Sequence, residues 1–306
     1  MSFAMVFPGQ GSQAVGMMSA LAQEFPVVKE LYEEASEALG IDLWAMSQAG
    51  PIEDLSRTEN TQPALLVAGV AAWRVWQEKG GATPEIMAGH SLGEYTALVC
   101  AGAIPFDQGV TLVRDRGRYM QSAVPEGQGG MAAIIGLEDD VVSKVCAEVA
   151  DGDVLQAVNF NAPGQVVIAG SAAAIKRAAP AMKEAGAKRA LPLPVSIPAH
   201  SALMSSASEK LASRIKEVDV QLPSIPVLHN CNVSVAETAE QVAQNLVTQL
   251  DSPVLWVASV EKMQSDGISK YIESGPGKVL SGMIKRIARG SEVACIDTPD
   301  ALNGQL

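Results

Sequence analysis

Aromatic residues make up only 4% of this 306-residue chain, and it holds just three histidines and four cysteines. Cys100, Cys146, Cys231 and Cys295 are too widely separated for the paired spacings of zinc sites or redox dithiols, so they read as isolated buried thiols. Basic residues are also scarce. Lys and Arg total 22 against 34 Asp and Glu, and the net charge of -12 repels nucleic acid and anionic membranes. No segment sustains the ~18 uncharged apolar residues of a membrane span, and residues 1–8 lack the basic start of a secretory signal. A soluble cytoplasmic protein is expected, with no nucleic-acid or membrane partner. A chain of this length buries about three quarters of its unfolded surface, enough for a large domain carrying a smaller one.

What is present centres on Gly89-His90-Ser91-Leu92-Gly93. Glycine on both flanks of a serine is the pattern of a nucleophile elbow, in which strand and helix pack closely around a sharp turn and leave the hydroxyl exposed. The five letters alone are weak, but the flanks agree: residues 85–88 read as a buried strand and residues 94–99 as a helix. The competing reading is a tight strand-to-helix turn with an incidental serine.

Around the elbow, residues 3–7 read as a strand ending at Pro8 and a glycine-rich loop, Gly9-Gln10-Gly11-Ser12-Gln13. Helical periods follow over residues 28–39, 63–76 and 106–123, and the run from Pro125 to Gly130 breaks the pattern. Strands at 131–137, 154–159, 165–169 and 189–195 then alternate with helices at 139–150 and 172–185, a β-α-β-β-α-β order. Helices at 206–218, 237–250 and 279–287 and strands at 225–228, 268–272 and 293–296 complete the chain. The expected fold is α/β: an α/β-hydrolase-like large domain of residues 1–128 and 198–306, with an inserted ferredoxin-like domain of residues 129–197.

A serine needs a base within hydrogen-bond reach. His90 adjoins the serine on a turn that would direct it away, and His229 lies in a strand-like run. His200, in the two-proline loop Pro194 to Ser201 where the insert rejoins the large domain, is the better candidate; a structural histidine is the alternative. No carboxylate between Ser91 and His200 stands out as a triad acid; a neutral acceptor such as a main-chain carbonyl could orient the ring instead, and a Ser-His dyad is chemically sufficient. The Leu92 N–H is the expected first oxyanion donor, and the loop around Gln10 could offer the second. Of three arginines on the 106–123 helix, Arg116 lies nearest the apolar stripe. It suits either a substrate carboxylate or an internal salt bridge.

Taken together, Phe7 to Gln13, Thr61-Gln62-Pro63-Ala64, the elbow with Glu94, Arg114 to Gly117, Asn161 to Gln165, Pro198-Ala199-His200 and Gly275-Pro276-Gly277 resemble the malonyl-CoA:acyl-carrier-protein transacylases of bacterial fatty acid synthesis along nearly the whole chain. Ala199 stands where family members often have Ser, and Ser252 where Asn often precedes the proline. The resemblance implies Ser91 as acylated nucleophile, His200 as its partner, Arg116 as clamp for the malonyl carboxylate, and Gln10 and Leu92 as oxyanion donors. It further implies that a main-chain carbonyl at Gln249 orients the imidazole. Malonyl-CoA and acyl carrier protein would be the partners of a monomeric enzyme, with no cofactor, since malonyl-CoA is a substrate.

An acidic carrier needs a basic patch on an acidic enzyme. Candidates are Lys176, Arg177, Lys183, Lys188 and Arg189 in the insert and Lys278, Lys285, Arg286 and Arg289 near the C-terminus. Two other readings use the same residues: a serine hydrolase, which requires a triad acid in the fold, and a binding module with a vestigial site.

Overall fold

Five consecutive apolar residues, Phe3–Phe7, are buried on both faces and form strand β1 at the centre of a parallel sheet. An unbroken apolar run is what a strand covered on both sides requires. The computed structural model describes residues 2–195 and 197–306; Met1 and Ser196 lie outside the described residues. Its further strands are β2 (Ile86–Gly89), β3 (Gly129–Ile135), β4 (Leu155–Ala162), β5 (Gln165–Ser171), β6 (Arg189–Pro192), β7 (Val227–Leu228), β8 (Lys270–Glu273) and β9 (Glu292–Cys295). The first sheet runs β7-β2-β1-β8-β9 with every neighbouring pair parallel. The second runs β4-β5-β3-β6 with every pair antiparallel. The chain is thus mixed α/β, with one parallel and one separate antiparallel sheet.

Alternation along the antiparallel strands sorts their side chains between two faces. Ala132, Ile134, Val166 and Ile168 pack under helices Asp139–Val149 and Ala172–Glu184, while Met131, Val167 and Ala169 form a small cluster on the other side. Main-chain bonds tie β4 of the antiparallel sheet to the connection between helices Ala239–Gln249 and Trp256–Ser265: Phe160 N–H donates to Val254 O at 3.1 Å and Val254 N–H to Val158 O at 2.8 Å. Arg286 adds a bond to the Pro163 carbonyl at 2.7 Å.

Several elements differ from the sequence expectation for local reasons. The strand expected over 225–228 is only Val227–Leu228, because Pro226 has no N–H to give a ladder. The strand expected to reach Val195 stops at Pro192, where prolines at 192 and 194 remove donors. The helix expected over 206–218 ends at Arg214 and tightens into a 3-10 turn, Ile215–Glu217. Helices Ser19–Glu24, Leu43–Ala49 and Pro299–Asn303 are too short to show a period, whereas Trp256–Ser265 buries Trp256, Val260 and Met263 at helical spacing that the sequence did display. Among the described residues no helix is long and apolar enough to cross a membrane.

Strands β1 and β2 bring their C-terminal ends together, the edge at which open α/β sheets place their sites. There the helix Leu92–Cys100 descends against β1, and a Cβ on Gly93 would sit 1.9 Å from the Phe7 carbonyl oxygen. A Cβ on Gly89 would sit 1.9 Å from the Gly93 carbonyl carbon. Gly282, by contrast, is helical with no atom near the place a Cβ would take. Gly93→Ala is therefore expected to destabilise by about 3 kcal/mol or more through overpacking against rigid backbone. Gly282→Ala should stabilise by about 0.5–1 kcal/mol through lower unfolded-state entropy. Urea denaturation midpoints of the two variants, moving in opposite directions, check both.

Candidate active site

Strand β2 ends at Gly89 and the next helix begins at Leu92, so His90 and Ser91 make the whole turn. Ser91 adopts φ 53° and ψ -106°, a conformation that costs a non-glycine residue about 1–3 kcal/mol. The side chain of Asn230 offsets part of that by clamping the turn: its Oδ1 accepts from the Ser91 N–H at 2.7 Å and its Nδ2 donates to the Gly89 carbonyl at 2.7 Å. From the other side, Gln249 Nε2 donates to the Ser91 carbonyl at 2.9 Å.

The hydroxyl held up by this turn lies 2.7 Å from His200 Nε2. His200 Nδ1 donates to the Gln249 main-chain carbonyl at 2.8 Å, which leaves Nε2 with its lone pair facing Ser91. The His200 backbone is itself in the left-handed region, φ 64°, with its N–H bonded to Leu250 O. Burial, reinforced by the Arg116 charge and opposed by main-chain bonds at Gln249 and Ser252, pushes the imidazole down to about 3. A neutral ring is the form that accepts a proton.

Arg116 is 1% exposed and donates through Nη1 to Gln62 Oε1 at 2.7 Å and through Nη2 to Gln249 Oε1 at 2.9 Å and Ser91 Oγ at 3.2 Å. Its guanidinium also lies over the Tyr95 ring, 5.1 Å from the centroid. All these partners are neutral. Among the described residues no carboxylate is within ion-pair distance of Arg116, so the internal salt bridge open to it in sequence is not formed. A buried, ionised guanidinium with neutral partners beside a serine hydroxyl is suited to an incoming anion.

Leu92 is the first residue of its helix, where main-chain N–H groups lack intrahelical acceptors. The loop carrying Gln10 abuts the elbow, since a Cβ on Gly9 would lie 2.4 Å from the His90 carbonyl oxygen. Ser91, His200, Arg116, Gln249, Leu92 and the Gln10 loop therefore share one location. His90 faces elsewhere: its Nε2 is 2.8 Å from Asn161 Oδ1 of β4 and its ring packs edge-on to Trp256. Of the two basic clusters, Arg177 is taken up by Asp153 and Arg286 by Pro163 and Gln165.

Sequence reasoning assigned no role to Glu94 or Gln62, although both lie in the motifs it picked out, and it missed Asn230. Glu94 is fully buried, with Oε1 2.7 Å from His229 Nδ1 and Oε2 accepting from the Asn230 N–H and Gln249 Nε2, each at 2.9 Å. Its position directly after the elbow was a usable signal. Asn230, 139 positions from Ser91, had none. Among the described residues no cluster of His, Cys, Asp and Glu is arranged for a metal ion.

The depressed imidazole has a sign for stability. Between the unfolded value of about 6.5 and the folded value of about 3, the unfolded chain binds a proton at His200 that the folded chain does not. Stability from this group is complete above that window and falls as pH drops through it, by about 1.4 kcal/mol per pH unit. Between pH 6 and pH 4, His200→Gln should lose stability less steeply than the unchanged protein by about that amount. Equal slopes in urea unfolding would contradict it.

The acyl transferase domain family matches residues 4–295. The malonyl CoA-acyl carrier protein transacylase of Salmonella typhimurium is 54% identical over 304 residues, covering 99% of this chain and 98% of that protein. That of Bacillus subtilis is 42% identical over 300 residues, covering 98% of this chain and 94% of its own. Among solved structures, an acyl carrier protein S-malonyltransferase from Vibrio cholerae superposes with a TM-score of 0.97 at 55% identity, covering 99% of each chain. A malonyl-transacylase in complex with a type II PKS acyl-carrier protein superposes with a TM-score of 0.99 at 52% identity, covering 100% of this chain and 99% of that one. The chain belongs to the acyl transferase domain family and, within it, to the malonyl CoA-acyl carrier protein transacylases.

Proposed function

We propose that this protein moves the malonyl group from malonyl-CoA to the phosphopantetheine thiol of acyl carrier protein by a ping-pong mechanism through a malonyl-Ser91 ester. The observation that carries the reading is Arg116, buried, without an acid partner among the described residues, and 3.2 Å from the Ser91 hydroxyl. An acetyl group has no use for such a cation, whereas the free carboxylate of a malonyl group would form a charge-assisted pair with it. The names of the relatives support the same substrate and carrier.

In the first half-reaction His200 Nε2 takes the Ser91 proton as Oγ attacks the thioester carbonyl. The Leu92 and Gln10 N–H groups receive the oxyanion, and the C–S bond breaks with the imidazolium proton passing to the CoA sulfur. In the second, the carrier thiol gives its proton to His200 and attacks the ester, and Ser91 recovers its hydrogen. Gln249 holds the imidazole through its carbonyl, the place a triad acid would take in a hydrolase. We read the scaffold as an α/β-hydrolase-like domain of residues 1–128 and 198–306 bearing a ferredoxin-like insert of residues 129–197. The order β4-β5-β3-β6, all antiparallel with both helices on one face, supports the second part.

Incubation with malonyl-CoA should add one malonyl group to the intact protein, and Ser91→Ala should abolish the adduct. Arg116→Ala should lower kcat/KM for malonyl-CoA by roughly a hundredfold, about 3 kcal/mol, while acetyl-CoA changes little. Acetyl labelling as fast as malonyl in the unchanged protein would count against the clamp. Because His200 stays neutral well below its ordinary value, kcat/KM should hold level from pH 7 to about pH 5. An acid limb centred near 6.5 would show an ordinary, solvated imidazole instead.

A further inference from the structure

Behind the nucleophile, the buried carboxylate of Glu94 touches neither Ser91, His200 nor Arg116, yet its partners reach all three. Gln249 Nε2 donates to Glu94 Oε2 and to the Ser91 carbonyl, its Oε1 accepts from Arg116 Nη2, and its main-chain oxygen accepts from His200 Nδ1. Asn230, whose side chain clamps the elbow, gives its own N–H to the same Glu94 oxygen.

We propose that Glu94 is a positioning residue for acyl-group selection, fixing which way the Gln249 carboxamide faces and so holding Arg116 ready for a carboxylate. A carboxamide can turn over, exchanging its oxygen and its NH2 group. Here a turn would set NH2 against the guanidinium and oxygen against the Glu94 carboxylate. Both contacts are repulsive, and both groups are buried, so neither is relieved by water. Glu94, accepting only, leaves one orientation. The interposed amide also keeps the carboxylate from pairing with Arg116 directly, which would occupy the guanidinium edge that faces Ser91.

This rests on the reading that Arg116 receives the malonyl carboxylate. Two substitutions separate reach from charge. Glu94→Gln keeps the length of the side chain: one oxygen still accepts from Asn230 and Gln249, and its NH2 faces a His229 ring that changes tautomer. Glu94→Asp keeps the charge and withdraws it by one methylene. The readout is the ratio of kcat/KM for malonyl-CoA to that for acetyl-CoA, which a purely structural role would leave unchanged because both thioesters would suffer equally. Glu94→Gln should keep the ratio within about threefold and Glu94→Asp should lower it at least about tenfold. Gln249→Met, which removes the carboxamide but not the main-chain carbonyl, should lower it likewise, and serves if the Asp variant does not fold. A ratio unchanged in Glu94→Asp or Gln249→Met, or lowered as far in Glu94→Gln, overturns the proposal while Arg116→Ala still lowers it. An unchanged ratio in Arg116→Ala removes the clamp reading and this proposal with it.

Discussion

At the elbow the helix Leu92–Cys100 approaches strand β1 so closely that only the missing Cβ of Gly93 lets the Phe7 carbonyl sit where it does. The same approach fixes the neighbouring backbones: Gly89 lies against Gly93, and Gly9 against the His90 carbonyl. Three chain segments thus meet at main-chain distance, and the serine between two of them has no room to relax from its left-handed conformation. The position of the Ser91 hydroxyl is a consequence of backbone packing before any side chain orients it.

Charge is arranged on that frame with unusual economy. Arg116 and Glu94 are both buried and of opposite sign, yet they are separated by the Gln249 amide and do not pair. Direct pairing would satisfy both ions and leave nothing for a substrate. Separation instead gives Glu94 three N–H donors and leaves one edge of Arg116 turned to Ser91 with only neutral company. The low-dielectric surroundings that keep His200 neutral also strengthen each of these hydrogen bonds.

The antiparallel sheet borders this site through β4, which bonds to Val254 and places Asn161 on His90. The segment from Gln249 to Val254 therefore supplies the acceptor for His200 and, a few residues on, the main-chain bonds that hold β4 of the antiparallel sheet. Imidazole orientation and the anchoring of β4 are consequently linked through one short stretch of chain.

By itself the sequence determined what is local. A glycine-flanked serine between an apolar run and a helix marks an elbow, a two-proline loop marks His200, and the phase of Arg116 on its helix marks burial, because each is expressed within a few residues through steric and periodic rules. Strand ends at Pro192 and Pro226 were open to the same rules, since proline withholds an N–H wherever it stands. Only the tertiary structure decided that Arg116 meets no acid among the described residues, that Asn230 braces a turn 139 positions away, and that Glu94 meets Gln249 across 155. The physical reason is that a buried polar side chain takes its partner from whatever folding brings within about 3 Å. That proximity is a property of the packed chain, and no period or spacing in the sequence records it.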